Sequence, residues 1–169
     1  TRKGYVSGAA DLADTVKGCF LGQADDWCTT PSQSINYASC HDNMTLLDRI
    51  TKSTPGASKE DHIRMNNLSA AIYMTAQGIP FLQAGEEMLR TKIDASGGFV
   101  ENSYNSPDSV NSIKWDTLEA EAYQNVYNYY KGLIAFRKAH AALRLTNAAD
   151  VHANITSVDG LDENVLAFR

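Results

Sequence analysis

The sequence has 169 residues, the length of one ordinary domain, with 43% hydrophobic residues, 21% charged residues and a formal net charge of −5. This composition allows a hydrophobic core, and the acidic balance without a Lys/Arg cluster argues against a nucleic-acid-binding domain. No apolar run approaches 18 residues, so no membrane partner or membrane-spanning helix is expected, and the stretch TRKGYVSGAAD lacks the apolar core of a signal peptide.

The first part of the chain predicts a helix followed by a strand. Leu12, Val16 and Phe20 fall at helical spacing within residues 7–22, which predicts an amphipathic helix. A polar loop with a proline follows. Residues 35–40 (INYASC) begin with β-branched and aromatic side chains and predict a strand that leads directly into a His-Asp pair.

Two further helices are predicted after this strand. A short helix is expected over residues 43–50, with Asn43 as its N-cap. The next helix begins at Ser58, which opens a Ser-x-x-Asp capping pattern, and runs to about Gln77, where Gly78 ends it. Its predicted apolar stripe consists of Met65, Leu68, Ile72 and Thr75.

The second half combines a strand, a long polar loop, a helix and a β-rich end. Residues 79–85 (IPFLQAG) predict a buried strand, with the proline confined to its start or to an edge. Residues 85–116 show little periodicity, and so long a loop indicates function; its Asn, Tyr, Asp, Ser and Trp side chains suit sugar or peptide contacts. A helix is expected over 119–140, and the two β-rich runs in 150–169 predict the start of an all-β unit. The predicted stripe of that helix consists of Ala122, Val126, Tyr129, Leu133 and Phe136.

The cysteines and histidines do not form a metal-binding pattern. Cys19, Cys28 and Cys40 contain no CxxC pair, and their odd number argues against a disulfide framework, so reduced and mostly buried thiols are expected. The histidines are scattered without ligand spacing, and no zinc site is predicted. They are His41, His62, His140 and His152.

Strands that alternate with helices predict an α/β fold with a parallel sheet. Two strands do not make a sheet that can stand alone, and a complete α/β domain of this length would hold four or five strand–helix units. We therefore interpret the chain as the closing part of a larger barrel followed by the first strands of a further domain. An edge strand left exposed by this arrangement would be an aggregation risk.

Four blocks in order resemble the α-amylase family of glycoside hydrolases, and within it the bacterial type I pullulanases. INYASCHDNMTLLDRI is similar to strand seven of their (β/α)8 barrel, and GIPFLQAGEEMLRTK to strand eight and its following turn. NSYNSPDSVNSIKWD resembles the substrate loop, and FRKAHAALRL the end of the last barrel helix. The resemblance covers nearly the whole chain and implies a partial TIM barrel over 1–145 and the first strands of a β-sandwich domain over 146–169.

The resemblance gives the His-Asp pair a catalytic role. Asp42 matches the third carboxylate of the family, a transition-state stabiliser that hydrogen-bonds the 2- and 3-hydroxyls of the sugar being cleaved, and His41 matches the sugar-binding histidine. Catalytic residues of such barrels lie at the carboxyl ends of the strands. From the dipeptide alone, a local role is the alternative, in which the aspartate caps the next helix and the histidine fills the strand end.

The loop after the second strand supplies the expected substrate contacts. Tyr104 is a candidate stacking face, and Pro107-Asp108 is also a good β-turn pair. The family pattern often places an arginine where this chain has Ser112. This departure weakens the expectation that Asp108 and this position hold a sugar between them. The substrate-binding residues expected from the resemblance are Asn43, Asn102, Tyr104, Asn105, Asp108 and Asn111.

Three other side chains near this loop carry a structural expectation. Glu87 and Arg90 match the family's GEE…R stretch, where an ion pair that supports the loop is at least as expected as substrate contact. Trp115 is predicted to be a packing residue.

Two members of the catalytic set are missing from the chain. The family carries its nucleophile Asp on strand four and its acid Glu on strand five, and no stretch here has the Arg-x-Asp nucleophile pattern. The aspartates that precede strand seven lie on the expected helix and loop and are not candidates: Asp11, Asp14, Asp25 and Asp26. The isolated chain is therefore expected to be inactive, since loss of one member of such a site costs many orders of magnitude in rate.

The expected parent enzyme cleaves α-1,6 branch points in pullulan, starch or glycogen by a retaining mechanism, with the α-glucan and the remainder of the barrel as partners and no organic cofactor. Calcium is common in the family, but no Asp-rich loop demands it here. The alternatives are a non-catalytic α-glucan-binding or structural domain and a related isoamylase or branching enzyme. The compartment, cytoplasmic or secreted, stays open.

Overall fold

The computed structural model describes residues 2–23, 27–162 and 164–169. Within them it contains six α-helices and two strands, joined by short 3-10 turns. The helices are α1 (Ala13–Phe20), α2 (Leu46–Ser53), α3 (Lys59–Thr75), α4 (Asp108–Asn111), α5 (Glu121–Ala139) and α6 (Ala148–Asn154). The strands are β1 (Ile35–Asn36) and β2 (Ile79–Pro80). No helix in the described part of the chain is long and apolar enough to cross a membrane, and the three cysteines, all described, form no disulfide.

The two strands pair in parallel, as the alternation of strands and helices predicts. Ile35 lies opposite Ile79, and Asn36 lies opposite Pro80. Both strands are much shorter than the predicted segments 35–40 and 79–85. Pro80 has no N–H to donate to the ladder, and each strand has one neighbour within the described chain, so little regular pairing forms.

The connection between β1 and α2 differs from the prediction. Thr45, and not Asn43, caps α2, since the Thr45 hydroxyl accepts a 3.2 Å hydrogen bond from the amide of Asp48. Asn43 instead adopts the left-handed conformation, with φ of +62°. The predicted Ser58 cap of α3 is confirmed, since the Ser58 hydroxyl accepts a 3.1 Å bond from the amide of Asp61.

The core lies between α3 and α5 and uses different faces from those predicted. Its buried cluster consists of Ala70, Tyr73, Met74, Leu89, Val126 and Tyr130. Leu68 is 46% exposed, whereas Asn66 and Ser69 are buried on the inner face of α3. On α5, Val126 is buried as predicted, but Phe136 is 47% exposed. The predicted stripes were wrong only in part: Leu133 also packs against the core, but Asn66, which bonds Tyr130, occupies part of the inner face of α3.

The end of the chain is partly helical where strands were predicted. Asn147 caps α6 through a 2.8 Å bond from the amide of Asp150 to its side-chain oxygen. The later β-rich run forms only an antiparallel bridge between Ser157 and Phe168. Phe168 stacks on Phe20 with ring centroids 3.9 Å apart, so this segment packs against the end of α1.

Candidate functional site

The His41–Asp42 pair lies in the turn that follows β1. Both side chains face solvent, with exposed fractions of 89% and 70%, and Nε2 of His41 lies 3.5 Å from Oδ2 of Asp42. An exposed carboxylate next to an imidazole keeps its lone pairs available to a ligand. The pair does not cap α2, so the local alternative raised for Asp42 from the sequence is wrong.

An open depression of about 220 Å³ lies in front of this pair. Four of the predicted site residues line it: His41, Asp42, Tyr104 and Asn111. Four residues that sequence reasoning did not assign to the site also line it: Gln83, Arg90, Lys92 and Ser103. The other predicted site residues lie outside its lining: Asn43, Asn102, Asn105 and Asp108. The fold thus brings the end of β1 and the long loop to one place.

A larger cavity of about 580 Å³ lies elsewhere, between the N-terminal segment, α1, β1 and α3. Its lining includes apolar side chains such as Val16, Ile35 and Ile72, but neither member of the His-Asp pair. Size alone therefore does not identify the site, and the smaller depression carries the polar side chains suited to chemistry on a sugar.

The long loop is closed by its own polar side chains. The Asn111 amide donates to the carbonyl oxygens of Ser103 at 2.6 Å and Ser106 at 3.0 Å. This closure leaves Tyr104 projecting, 81% exposed, at the rim of the depression. Pro107 is the N-cap of the short helix α4, so the predicted β-turn at Pro107-Asp108 is instead the start of a helix. Asn102, Asn105 and Asp108 are exposed.

Two expectations about neighbouring side chains were wrong. Arg90 donates to the carbonyl oxygens of Ala84 at 3.1 Å and Asn111 at 2.5 Å, while the Glu87 carboxylate accepts a 2.9 Å bond from the amide of Gly85. Within the described residues no ion pair joins Glu87 and Arg90. Backbone carbonyl oxygens of two segments bind the guanidinium instead. Trp115 is 66% exposed and does not pack in the core.

Lys92 lies beneath the turn that carries the His-Asp pair. Its side chain is only 1% exposed, and its ammonium group lies 2.6 Å from the carbonyl oxygen of Asn43 and 3.5 Å from that of His41. Burial lowers the pKa of Lys92, and the charge of Arg90 acts in the same direction, while Asp48 and Asp42 oppose it. The sequence gives no signal for this role, because a single lysine after a strand is usually a solvated one.

A buried carboxyl group lies beneath the end of β1. Glu86 is 4% exposed, and its carboxylate accepts hydrogen bonds from Ser39 at 2.5 Å and Tyr73 at 2.9 Å. Tyr130 donates to it at 3.5 Å and accepts a 3.1 Å bond from Asn66. Burial raises the pKa of Glu86 and also those of Tyr73 and Tyr130, so both phenols stay protonated as donors. This network joins the segment that follows β1 to the core through Ser39.

The described residues contain no group of three or more His, Cys, Asp or Glu side chains placed to hold a metal ion. The site is thus made of one exposed imidazole–carboxylate pair, an exposed aromatic ring, and two buried or half-buried cations. Such a set can hydrogen-bond the hydroxyls of a sugar and offer a face to its ring.

The chain is similar to pullulanases along most of its length, although no family model matches it. It is 40% identical to the pullulanase of Bacillus subtilis (strain 168) over 139 residues, which are 82% of this chain and 18% of that protein. It is 31% identical to an isoamylase of Flavobacterium over 151 residues, with 74% and 18% covered. The crystal structure of the pullulanase of Paenibacillus barengoltzii in complex with maltohexaose and α-cyclodextrin matches 99% of this chain with 43% identity and a TM-score of 0.91, over 26% of that structure. The chain thus spans less than a fifth of the length of these two curated relatives.

Proposed function

Because this chain belongs to the pullulanase family, we propose that it is part of a retaining glycoside hydrolase that cleaves α-1,6-glucosidic branch points in pullulan, starch or glycogen. The observation that carries the proposal is the shared depression, where the His41–Asp42 pair meets Tyr104 of the long loop. An imidazole–carboxylate pair for hydroxyls and an aromatic face for a ring are the contacts that a glucose residue needs.

In this proposal Asp42 stabilises the transition state. Its carboxylate is 70% exposed at the depression and can accept hydrogen bonds from the 2- and 3-hydroxyls of the sugar. Bonds to the 2-hydroxyl that tighten as the oxocarbenium-like state forms lower the barrier, since only interactions stronger in the transition state speed the chemical step. His41, whose Nε2 lies 3.5 Å from Oδ2 of Asp42, donates to a hydroxyl of the same ring.

The loop residues take the neighbouring sugars. Tyr104 stacks on a ring, and the Asn111 amide holds the loop closed through its bonds to Ser103 and Ser106. Asn102, Asn105 and Asp108 are exposed on the same loop, and Asn43 lies on the turn, where they are available to hydroxyls further along the glucan. The α-glucan as substrate class is supported by the maltohexaose complex of the Paenibacillus relative.

We further infer that the chain contributes strands seven and eight of a (β/α)8 barrel over residues 1–145, with a separate β-sandwich domain beginning in 146–169. The parallel pairing of β1 with β2 supports the first assignment. The two strands and the residues that directly follow them expose apolar side chains: Ile35, Tyr37, Ile79 and Phe81 are 59%, 56%, 47% and 44% exposed. Such exposed apolar side chains suit packing against the remainder of the barrel.

The isolated chain should not hydrolyse glucans. Among the described residues that line the depression, Asp42 carries the only carboxyl group. A retaining glycosidase needs two carboxyl groups in addition to this stabiliser, one as nucleophile and one as acid/base, about 5–5.5 Å apart. In the proposal both come from another part of the longer protein.

A related debranching specificity is the second candidate, favoured by the 31% identity to an isoamylase. The substrate separates the two, because a pullulanase would act on pullulan and an isoamylase-like enzyme would prefer the branches of glycogen. A non-catalytic α-glucan-binding role would instead show as tight binding of maltotriose by this chain alone.

The decisive experiment uses the longer protein that carries this chain, identified by mass spectrometry of the source material. We expect it to release maltotriose from pullulan, with the newly formed reducing end first seen by NMR in the α configuration. Release of the β anomer would contradict the retaining mechanism. Failure to cleave pullulan while glycogen is debranched would favour the second candidate, and no cleavage of either would contradict the enzyme assignment.

A further inference from the structure

Lys92 is a buried cation bound to the backbone of the turn that presents Asp42. A buried ammonium group is costly unless hydrogen bonds compensate it. Here it lies 2.6 Å from the carbonyl oxygen of Asn43 and 3.5 Å from that of His41, the residues on either side of Asp42. One side chain therefore holds both neighbours of the proposed stabiliser.

The backbone of this turn has an unfavourable conformation, so the hydrogen bonds from Lys92 are important for holding it. Asn43 has a φ of +62°, a left-handed conformation that non-glycine residues seldom adopt. The Asn43 side chain is exposed, and the 2.6 Å bond from Lys92 to the Asn43 carbonyl oxygen, which is partly shielded from solvent, opposes relaxation of the turn. A rotation of this peptide would redirect the Asp42 side chain.

Lys92 is itself fixed to the other side of the same connection. Its backbone amide donates a 2.8 Å hydrogen bond to Oδ2 of Asp48, which is fully buried in the first turn of α2. The residue thus joins α2, through Asp48, to the turn that precedes this helix. The backbone amide of Lys92 is bonded to a buried carboxylate, and its ammonium group is bonded to a backbone carbonyl oxygen. The ammonium group therefore has little freedom to move.

We propose that Lys92 is a positioning residue that fixes the His41–Asn43 turn and thereby sets the direction in which the Asp42 carboxylate enters the depression. The proposal deepens the proposed function and rests on it for the catalytic consequence. Lys92 acts through Asp42 and does not itself bind the ligand. Although Lys92 lines the depression, its exposure of 1% leaves a ligand almost no surface to contact.

The test uses Lys92→Met in the longer protein, since methionine keeps most of the apolar stem and removes the ammonium group. Lys52→Met, at an exposed position in α2, is the matched control. We expect Lys92→Met to lower kcat on pullulan by about 100-fold with a much smaller change in KM, the effect of misplacing a catalytic group by about 1 Å. Lys52→Met should leave both parameters at the wild-type values.

A double-mutant cycle with Asp42→Asn separates positioning from a general structural role. If Lys92 acts through Asp42, Lys92→Met should change the remaining activity of Asp42→Asn by less than about threefold. An equal loss in both backgrounds, or no loss in either, would overturn the proposal.

Crystal structures of the wild-type and Lys92→Met proteins give a readout that does not depend on activity. We expect the turn at 41–43 to move by about 1 Å or more in the variant while α2 keeps its position. An unmoved turn would overturn the positioning role even if pullulan is cleaved. If the wild-type protein does not cleave pullulan, the proposed function fails, and the crystal structures alone decide whether Lys92 holds the turn.

Discussion

The hydroxyl of Tyr73 donates a 2.9 Å hydrogen bond to Oε2 of Glu86, and both groups are buried. This bond and that from Ser39 favour the charged carboxylate, but burial is the larger effect and raises the pKa of Glu86 above its ordinary value of 4.5. The network beneath β1 therefore contains a carboxyl group that is more easily protonated in the folded than in the unfolded protein.

This difference predicts a pH dependence of stability. A group whose pKa is higher in the folded state contributes stability that is complete below its unfolded pKa and is lost as the pH rises through its folded pKa. The free energy of unfolding of the wild type relative to Glu86→Gln should therefore fall as the pH rises above the ordinary pKa of 4.5, measured by urea denaturation. Glu60→Gln, at an exposed position in α3, is the matched control. A difference that stays constant or grows with pH would contradict the assignment.

Arg137 should be one of the most costly single losses to stability. Its buried guanidinium donates to the carbonyl oxygens of Met74, Ala76 and Gly78, at 3.0, 2.7 and 2.7 Å, where α3 ends and helical partners are missing. Arg137→Met should lower the free energy of unfolding by about 3 kcal/mol, since buried acceptors lose charged donors. Arg64→Met, which removes an 81% exposed side chain from α3, should change it by less than about 0.5 kcal/mol. Equal effects would show that these bonds contribute nothing specific.

A comparison of Gly78 with Gly97 tests whether the neighbouring backbone at Gly78 leaves no room for a side chain. Both have positive φ, +100° and +83°. A Cβ at Gly78 would lie 2.7 Å from the carbonyl oxygen of Ser34 and 2.9 Å from that of Pro31, whereas one at Gly97 would meet nothing within 4 Å. Gly97→Ala should cost about 1 kcal/mol of conformational strain, and Gly78→Ala about 3 kcal/mol or more, by thermal and urea unfolding. A larger loss of stability for Gly97→Ala than for Gly78→Ala would contradict the importance of the close backbone contacts at Gly78.

Tyr104 should affect substrate binding more than turnover. Its ring is 81% exposed at the rim of the depression, so its removal leaves the core intact. In the longer protein, Tyr104→Ala should raise KM on pullulan about tenfold with kcat little changed, and Tyr104→Phe should keep the wild-type KM because the ring face remains. A wild-type KM for Tyr104→Ala would exclude stacking as its role.

Local signals predicted part of the fold. The Ser58 cap and the helical spans of α3 and α5 follow from local sequence patterns, and the parallel order of the strands follows from the alternation of strands with helices along the chain. The helix α6 was mistaken for a strand because its β-branched Val151 and the following Ile155 outweighed the helix signals of Asn147 and the alanines after it.

The candidate site was predictable only where a motif marks it. His41, Asp42 and Tyr104 stand in recognisable blocks, and the structure brings them together. Lys92 and Glu86 were missed because burial of a charged side chain depends on partners distant in sequence, such as the carbonyl oxygen of Asn43 for Lys92. The expected Glu87–Arg90 ion pair failed for the same reason, since backbone carbonyls from two segments bind the guanidinium.

The role of Asp42 is the central claim, and the turnover of Asp42→Asn on pullulan in the longer protein tests it most directly. Asp116→Asn, which changes an exposed carboxylate outside the depression, is the control. Asparagine keeps the shape of the aspartate side chain and removes its charge, so Asp42→Asn should fold like the wild type. We predict a kcat lower by about 10²–10³-fold or more for Asp42→Asn and unchanged for the control; a kcat near the wild-type value for Asp42→Asn would contradict the account.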